Sequence, residues 1–211
     1  MNNFFYKVNG KDYEVVITHK RIKNIHYRYK DEKFYVSCHT SVPKRTILNG
    51  LDRFATKLIE KGDKTKPIGD NYIYLFGDRF ELAKSGMIRI EGYPQINYKT
   101  QEELLTKLKK VFLDIVTKRV RYYERVMNLP SYRVSVRKMS SRYGSNSKSS
   151  KHLTFAFQLI HYSTPILDSV IVHELAHIKV YNHSKAFYDV VYKYCPDYKV
   201  LHNKLKKGEF K

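Results

Sequence analysis

At 211 residues the chain is long enough to bury a sizeable core without disulfide staples. A hydrophobic fraction of 42%, with 19 Tyr and 11 Phe, excludes a disordered polypeptide. The 40 Lys and Arg against 20 Asp and Glu leave a formal charge of +20, a field that attracts polyanions and makes nucleic acid or a nucleotide a candidate partner.

The first third reads as β-rich. Phe5 to Val8 and Tyr13 to Ile17 flank Asn9-Gly10, a pair that accepts positive φ in a tight hairpin. Residues 33–38 form a further strand candidate. Ile47, Leu48, Leu51, Phe54, Leu58 and Ile59 then recur at helical spacing, with Gly62 placed to end the helix. Residues 71–82 read as a second hairpin turning at Gly77-Asp78, and 87–98 as extended chain broken at Gly92 and Pro94.

The second half is more helical. Over residues 101–127, Leu105, Leu108, Phe112, Ile115, Val116 and Val120 mark one apolar face, while Lys107, Lys109, Lys110, Lys118 and Arg119 mark a solvated basic one. Pro130 stops that helix. Residues 132–138 and 152–160 alternate like strands around a Ser-rich turn at 140–150. Helices are expected over 165–181, 184–194 and 197–206. The shift in character near residue 100 divides a β-rich region, 1–99, from a more helical one, 100–211, the two expected to form one compact unit.

No run approaches the ~18 consecutive apolar residues of a membrane span, and no basic, then apolar leader opens the chain. Cys38 and Cys195 are isolated, which suits a reducing compartment. The expectation is a cytoplasmic protein with no membrane partner; the sequence sets no oligomeric state. Lys, Asn, Ile and Tyr are abundant together, as an AT-biased genome makes them, so the charge by itself names no ligand.

The chemistry lies in His173-Glu174-Leu175-Ala176-His177. Two histidines four apart on a helix project from one face, one turn apart. A glutamate next to the first can reach a water activated by a metal held between them, the HExxH arrangement of zinc hydrolases. The pentapeptide alone arises by chance in roughly 2% of chains of this composition, so context decides. Thr164 can cap the helix, Pro165 suits its first turn, and Ile166, Val170, Ile171, Leu175 and Ile178 form an apolar side. A Glu and two His on a core helix are costly unless something pairs with them. Zinc needs a third protein ligand. His183 follows after five residues, between an Asn182 suited to end one helix and a Ser184 suited to start the next, and can fold back toward His173 and His177.

These residues resemble the YgjP-like metallopeptidases, relatives of the SprT-like minimal zincins. Arg137-Lys138-Met139-Ser140-Ser141-Arg142-Tyr143-Gly144-Ser145-Asn146 is similar to that family's Arg-x-Met-x-Ser-Arg-Trp-Gly-Ser-Cys block, with Tyr143 in place of Trp and Asn146 in place of Cys. The likeness is specific over about residues 130–198. It implies an α+β, zincin-like core with His173, His177 and His183 as zinc ligands and Glu174 as catalytic base. The block reads as structural and substrate-facing, with Arg142 able to hold a carboxylate or phosphate.

The expected function is therefore zinc-dependent hydrolysis of a peptide or protein, with the strand over 153–160 bordering the cleft. Two alternatives share the metal site: hydrolysis of a nucleotide or other phosphoester, and a DNA-associated protein carrying a zinc site. His19, His26, His39, His152, His161 and His202 have no partner at ligand spacing and read as surface or half-buried. Tyr188, Tyr192 and His202 stand as open options for stabilising an oxyanion.

Overall fold

Packing sorts the chain into two units, Met1–Thr65 and Lys66–Lys211, in the computed structural model, which describes residues 3–62 and 66–211. In the first unit β1 (Phe4–Val8) turns through Asn9 and Gly10, at φ 49° and 85°, into β2 (Lys11–His19). β3 (His26–Lys30) and β4 (Lys33–Cys38) complete a sheet of order β1-β2-β4-β3, with β2 and β4 parallel and the other pairs antiparallel. Tyr13, Val15 and Ile17 of β2 and Phe34, Val36 and Cys38 of β4 point to one face. There they join Ile47, Leu51 and Ala55 of α1 (Lys44–Gly62) in one core. The three residues after Gly62 lie outside the described part of the chain, as does any helix stop there. β3 escapes the sequence pattern because His-Tyr-Arg-Tyr-Lys carries no aliphatic residue; its two tyrosines pack on the core from a charged strand.

The second unit opens with two hairpins, β5 (Tyr72–Leu75) with β6 (Asp78–Glu81) and β7 (Gly86–Ile88) with β8 (Ile96–Tyr98). α2 (Gln101–Val126) is started by Thr100, whose hydroxyl accepts from the Glu103 amide, while the Glu103 carboxylate accepts from the Lys99 amide. Leu104, Leu108, Phe112, Val116 and Val120 bury its inner face, and Asn128, at φ 50°, follows its end. The composition suggested a boundary near residue 100 and a single unit. The contacts divide the chain at residue 65 because Ile73, Leu75, Ile88, Ile96 and Tyr98 of the hairpins share their core with α2.

β9 (Arg133–Arg137), β10 (Gly144–Ser147) and β11 (His152–Ala156) form a sheet of order β10-β11-β9, β11 running parallel to β9 and antiparallel to β10. A 3-10 turn, Phe157–His161, leads to α3 (Thr164–Lys179), α4 (Lys185–Tyr194) and α5 (Tyr198–Lys207). The cap of α3 is Ser163, one residue before the expected Thr164, with Pro165 in the first turn. Ile166, Leu167, Val170, Ile171 and Leu175 face the main core, whereas Val172 and Ala176 pack with Phe187, Val191, Cys195 and Tyr198 of α4 and α5. A helix buried on two sides is apolar nearly all round; the remaining stripe carries His173, Glu174 and His177. Asp168, about one and a half turns before His173, takes both the Nε and an Nη of Arg119, pinning α3 to α2. The architecture is mixed α+β, as expected. Among the described residues no helix is long and apolar enough to cross a membrane.

Candidate metal centre

α3 holds His173 and His177 one turn apart with ring centroids 5.0 Å from each other. His183 lies in the short connection to α4 and turns back onto them. Its Nε2 is 3.2 Å from Nε2 of His173, and one ring nitrogen from each of the three histidines falls within 4.8 Å of the others. α3 ends at Val180 in an extended conformation, φ −131°, rather than at a left-handed Asn182. Beneath the cluster the fully buried ring of Phe187, from the first turns of α4, lies 5.0, 4.6 and 4.8 Å from the rings of His173, His177 and His183.

Burial, and then the neighbouring imidazoles, push His173 down to about 3. Burial and His183 lower His177 as well. Both rings are therefore neutral near pH 7, with lone pairs free to donate. Three imidazoles converging on one point, open to a cleft on one side, are a donor set suited to zinc.

A second layer orients the first. The hydroxyl of Tyr198, a side chain from the start of α5, lies 2.8 Å from Nδ1 of His173. It also lies 3.5 Å from Nδ1 of His202, one turn further along α5. The three rings stack in layers, His173 on Tyr198 at 15° and Tyr198 on His202 at 21°. Nothing local in the sequence links Tyr198 to a histidine 25 positions earlier. The only signal was its pairing with His202 four residues on.

Glu174 is 7% exposed and points at β10. A Cβ at Gly144 would stand 2.6 Å from its Oε1, so the close approach of strand to carboxylate requires glycine. Burial pushes the carboxyl up to about 7, against the opposing charge of Arg142. Among the described residues no hydrogen-bond donor meets the carboxylate. Asn146, two residues beyond Gly144, donates its Nδ2 to the Glu174 backbone carbonyl at 2.7 Å, while its Oδ1 is buried without a partner.

The profile of the YgjP-like, metallopeptidase domain matches residues 23–208, most of the chain. The chain belongs to the YgjP-like metallopeptidase family. Membership makes it a peptidase-type hydrolase of a class that works with a divalent metal. Among solved structures, the zymogen of the Pyrococcus abyssi metallopeptidase abylysin is similar at 19% identity and a TM-score of 0.41, covering 43% of this chain and 90% of its own. The zymogen of Methanocaldococcus jannaschii jannalysin is similar at 21% identity and a TM-score of 0.38, covering 43% and 96%. No match is found among curated proteins.

In this YgjP-like chain the cleft is bordered by β10, not by the strand over 153–160. β11 is the central strand and is paired on both sides; of the two edge strands, β10 is the one that lines the cleft. Gly-Ser-Asn-Ser has no β-branched or aromatic residue, so the strand reads as a turn. A cavity of about 540 Å³ runs along it, where Arg142, Asn146 and Lys148 face His173, Glu174, His177 and His183. Across Glu174 a smaller cavity of about 260 Å³ is walled by Tyr143, Val170, Tyr198, His202 and Leu205. Tyr143, in place of the family's Trp, keeps a packing role: its ring meets Tyr162 edge-on, and its hydroxyl lies 3.4 Å from the Leu205 carbonyl.

Of the other histidines of the second unit, His202 stacks on Tyr198 beside the cluster and His152 opens β11. His161 is buried, its Nδ1 2.7 Å from the Tyr74 carbonyl oxygen. Tyr188 stacks loosely beside His183 with centroids 6.4 Å apart, and Tyr192 lies beyond it.

Proposed function

We propose that this chain is a zinc-dependent peptidase in which His173, His177 and His183 hold the metal and Glu174 acts as general base. The observation that carries the reading is the convergence of three imidazole nitrogens within 4.8 Å, beside a buried carboxyl, in a cleft with a free strand edge. Bound there, zinc would supply Lewis acidity to a water and to the scissile carbonyl.

The chain's own residues do the rest. Glu174, raised to about 7 by burial, takes a proton from the attacking water and delivers it to the leaving amine. Tyr198 fixes the ring of His173 with Nε2 toward the cluster. The exposed edge of β10 can pair with an extended peptide as an added strand, binding backbone with little regard to side chains. The 260 Å³ cavity next to Glu174 offers room for one substrate side chain. Arg142 and Lys148 give the larger cavity a positive wall, which also favours a second reading, hydrolysis of an anionic phosphoester such as a nucleotide.

Metal analysis and turnover on three proteins test the assignment. The wild type is expected to hold one zinc per chain and to cleave an unfolded protein. His183→Ala should lose the metal. Glu174→Gln should keep it and lose turnover by on the order of 100-fold or more. Full metal content in His183→Ala overturns the ligand set, and retained turnover in Glu174→Gln overturns the base. Nucleoside triphosphates hydrolysed in preference to protein would establish the second reading.

A further inference from the structure

The charge of +20 has no part in peptide hydrolysis, yet in the first unit it is organised. The pairing of β2, β4 and β3 fixes which side chains share a face. Val16 and Arg28 flank Tyr35 on either side, and Thr18 and His26 flank Ser37. These residues alternate with the buried Val15, Ile17, Phe34 and Val36, so they occupy the side of the sheet turned away from the α1 core. β3 supplies His26, Arg28 and Lys30 to that side because every second residue of His-Tyr-Arg-Tyr-Lys is basic.

The face is concave. A trough of about 560 Å³ is lined by the cations Lys20, Arg28 and Lys30, the hydroxyls of Thr18 and Ser37, and the ring of Tyr35. No carboxylate lines it. Among the described residues the Lys20 and Arg28 side chains meet no carboxylate, and Lys30 has only the exposed Asp31 at 3.4 Å. Two other carboxylates of this sheet are matched to other lysines, Glu14 to Lys33 at 2.6 Å and Glu32 to Lys11 at 2.8 Å, and Asp12, at the start of β2, does not line the trough.

We propose that this outer sheet face binds single-stranded nucleic acid, with Lys20, Arg28 and Lys30 on phosphates and Tyr35 stacked on a base. Unneutralised cations beside hydroxyl donors, without a competing carboxylate, are a phosphate surface. Arg28 and Lys30 are two residues apart on one strand, about 6.7 Å, comparable to one nucleotide step of an extended strand. Tyr35 is 37% exposed and offers a π-face between Val16 and Arg28. A duplex keeps its base faces stacked on one another and gives that ring nothing to meet, which is why the single strand is favoured.

The test is fluorescence anisotropy of a labelled mixed-sequence single-stranded oligonucleotide with the full chain, at several salt concentrations. No metal is needed, so the result is independent of the peptidase reading. Three phosphate contacts predict a log–log salt slope of about −2, reduced by about 0.7 in Arg28→Gln. Tyr35→Ala, an outward-facing change, should weaken binding roughly 10-fold with unchanged circular dichroism. Lys109→Gln/Lys110→Gln removes two exposed charges from α2 and should leave affinity within about twofold, whereas Lys20→Gln/Arg28→Gln lowers it by on the order of 10-fold or more at low salt. Equal losses in the two double variants, no effect of Tyr35→Ala, or equal affinity for duplex or for a heparin competitor would each overturn the proposal.

Discussion

The hydroxyl of Tyr198 lies 2.8 Å from Nδ1 of His173, while Nε2 of the same ring faces His183 at 3.2 Å. One histidine thus has its two nitrogens assigned to different tasks. Tyr198 is 5% exposed, and burial raises its hydroxyl pKa, so it stays protonated across the working range. A phenol that accepts from Nδ1–H of His173 can donate its own O–H to Nδ1 of His202, which fixes both the ring and its tautomer.

Replacing Tyr198 with Phe keeps the stacked ring and removes only the hydroxyl. Metal affinity is expected to fall by about 10- to 100-fold. Competition with a chromophoric chelator measures this directly, without turnover. Unchanged affinity would mean that packing alone orients His173.

Gly144 faces the Glu174 carboxylate across the cleft. A methyl group there meets Oε1 at 2.6 Å, Cγ at 2.7 Å and Cδ at 2.9 Å, so the whole end of the side chain must move. The φ of Gly144 is not positive, so alanine adds no backbone strain there. Gly144→Ala is therefore expected to retain metal and stability while turnover falls by on the order of 100-fold, the cost of displacing a catalytic group by about 1 Å. Normal turnover would place the proton transfer on another residue.

These two residues also mark what the sequence could and could not convey. His173, Glu174 and His177 were legible because one helical turn brings them together, and His183 because only five residues of chain separate it from His177. The spacing of Leu105 to Val120 likewise announced α2, although Leu104 is the residue buried in its first turn. β10 was hidden: it owes its place as a strand to β11 and α3, not to any β propensity of Gly-Ser-Asn-Ser. Tyr198 was hidden because its partner lies on a different helix. The division at residue 65 was hidden because short hairpins of similar composition stand on both sides of it, and only long-range packing assigns them.

His161 sets an acid limit on the second unit. It is 4% exposed, and burial lowers its pKa from the ordinary 6.5 despite the Tyr74 carbonyl it faces. The folded chain keeps the ring neutral, whereas the unfolded chain takes up a proton below about pH 6.5. Stability is therefore full above that pH and falls as the pH drops toward the folded-state value. Thermal unfolding from pH 7.5 to 5 is expected to show a declining midpoint in the wild type. A shallower decline is expected in His161→Gln, which can still donate to the Tyr74 carbonyl. Parallel declines would remove His161 as the cause.

Asn146 fastens the cleft's edge strand to α3 through one hydrogen bond, Nδ2 to the Glu174 carbonyl at 2.7 Å. That carbonyl also lies in the regular ladder of α3, so losing the side chain does not leave it without a partner. Asn146→Ala should then cost about 0.5–1.5 kcal/mol. Asn146→Asp has a different consequence. It sets a carboxylate oxygen against the carbonyl and adds a negative charge beside the buried Glu174. The expected order of stability in urea is Asn above Ala above Asp, with Asp lower than Ala by at least about 1 kcal/mol. Metal content should stay intact in the alanine variant, because Asn146 supplies no ligand. If Asp proves as stable as Asn, the amide is not holding β10 to α3 by donation to that carbonyl.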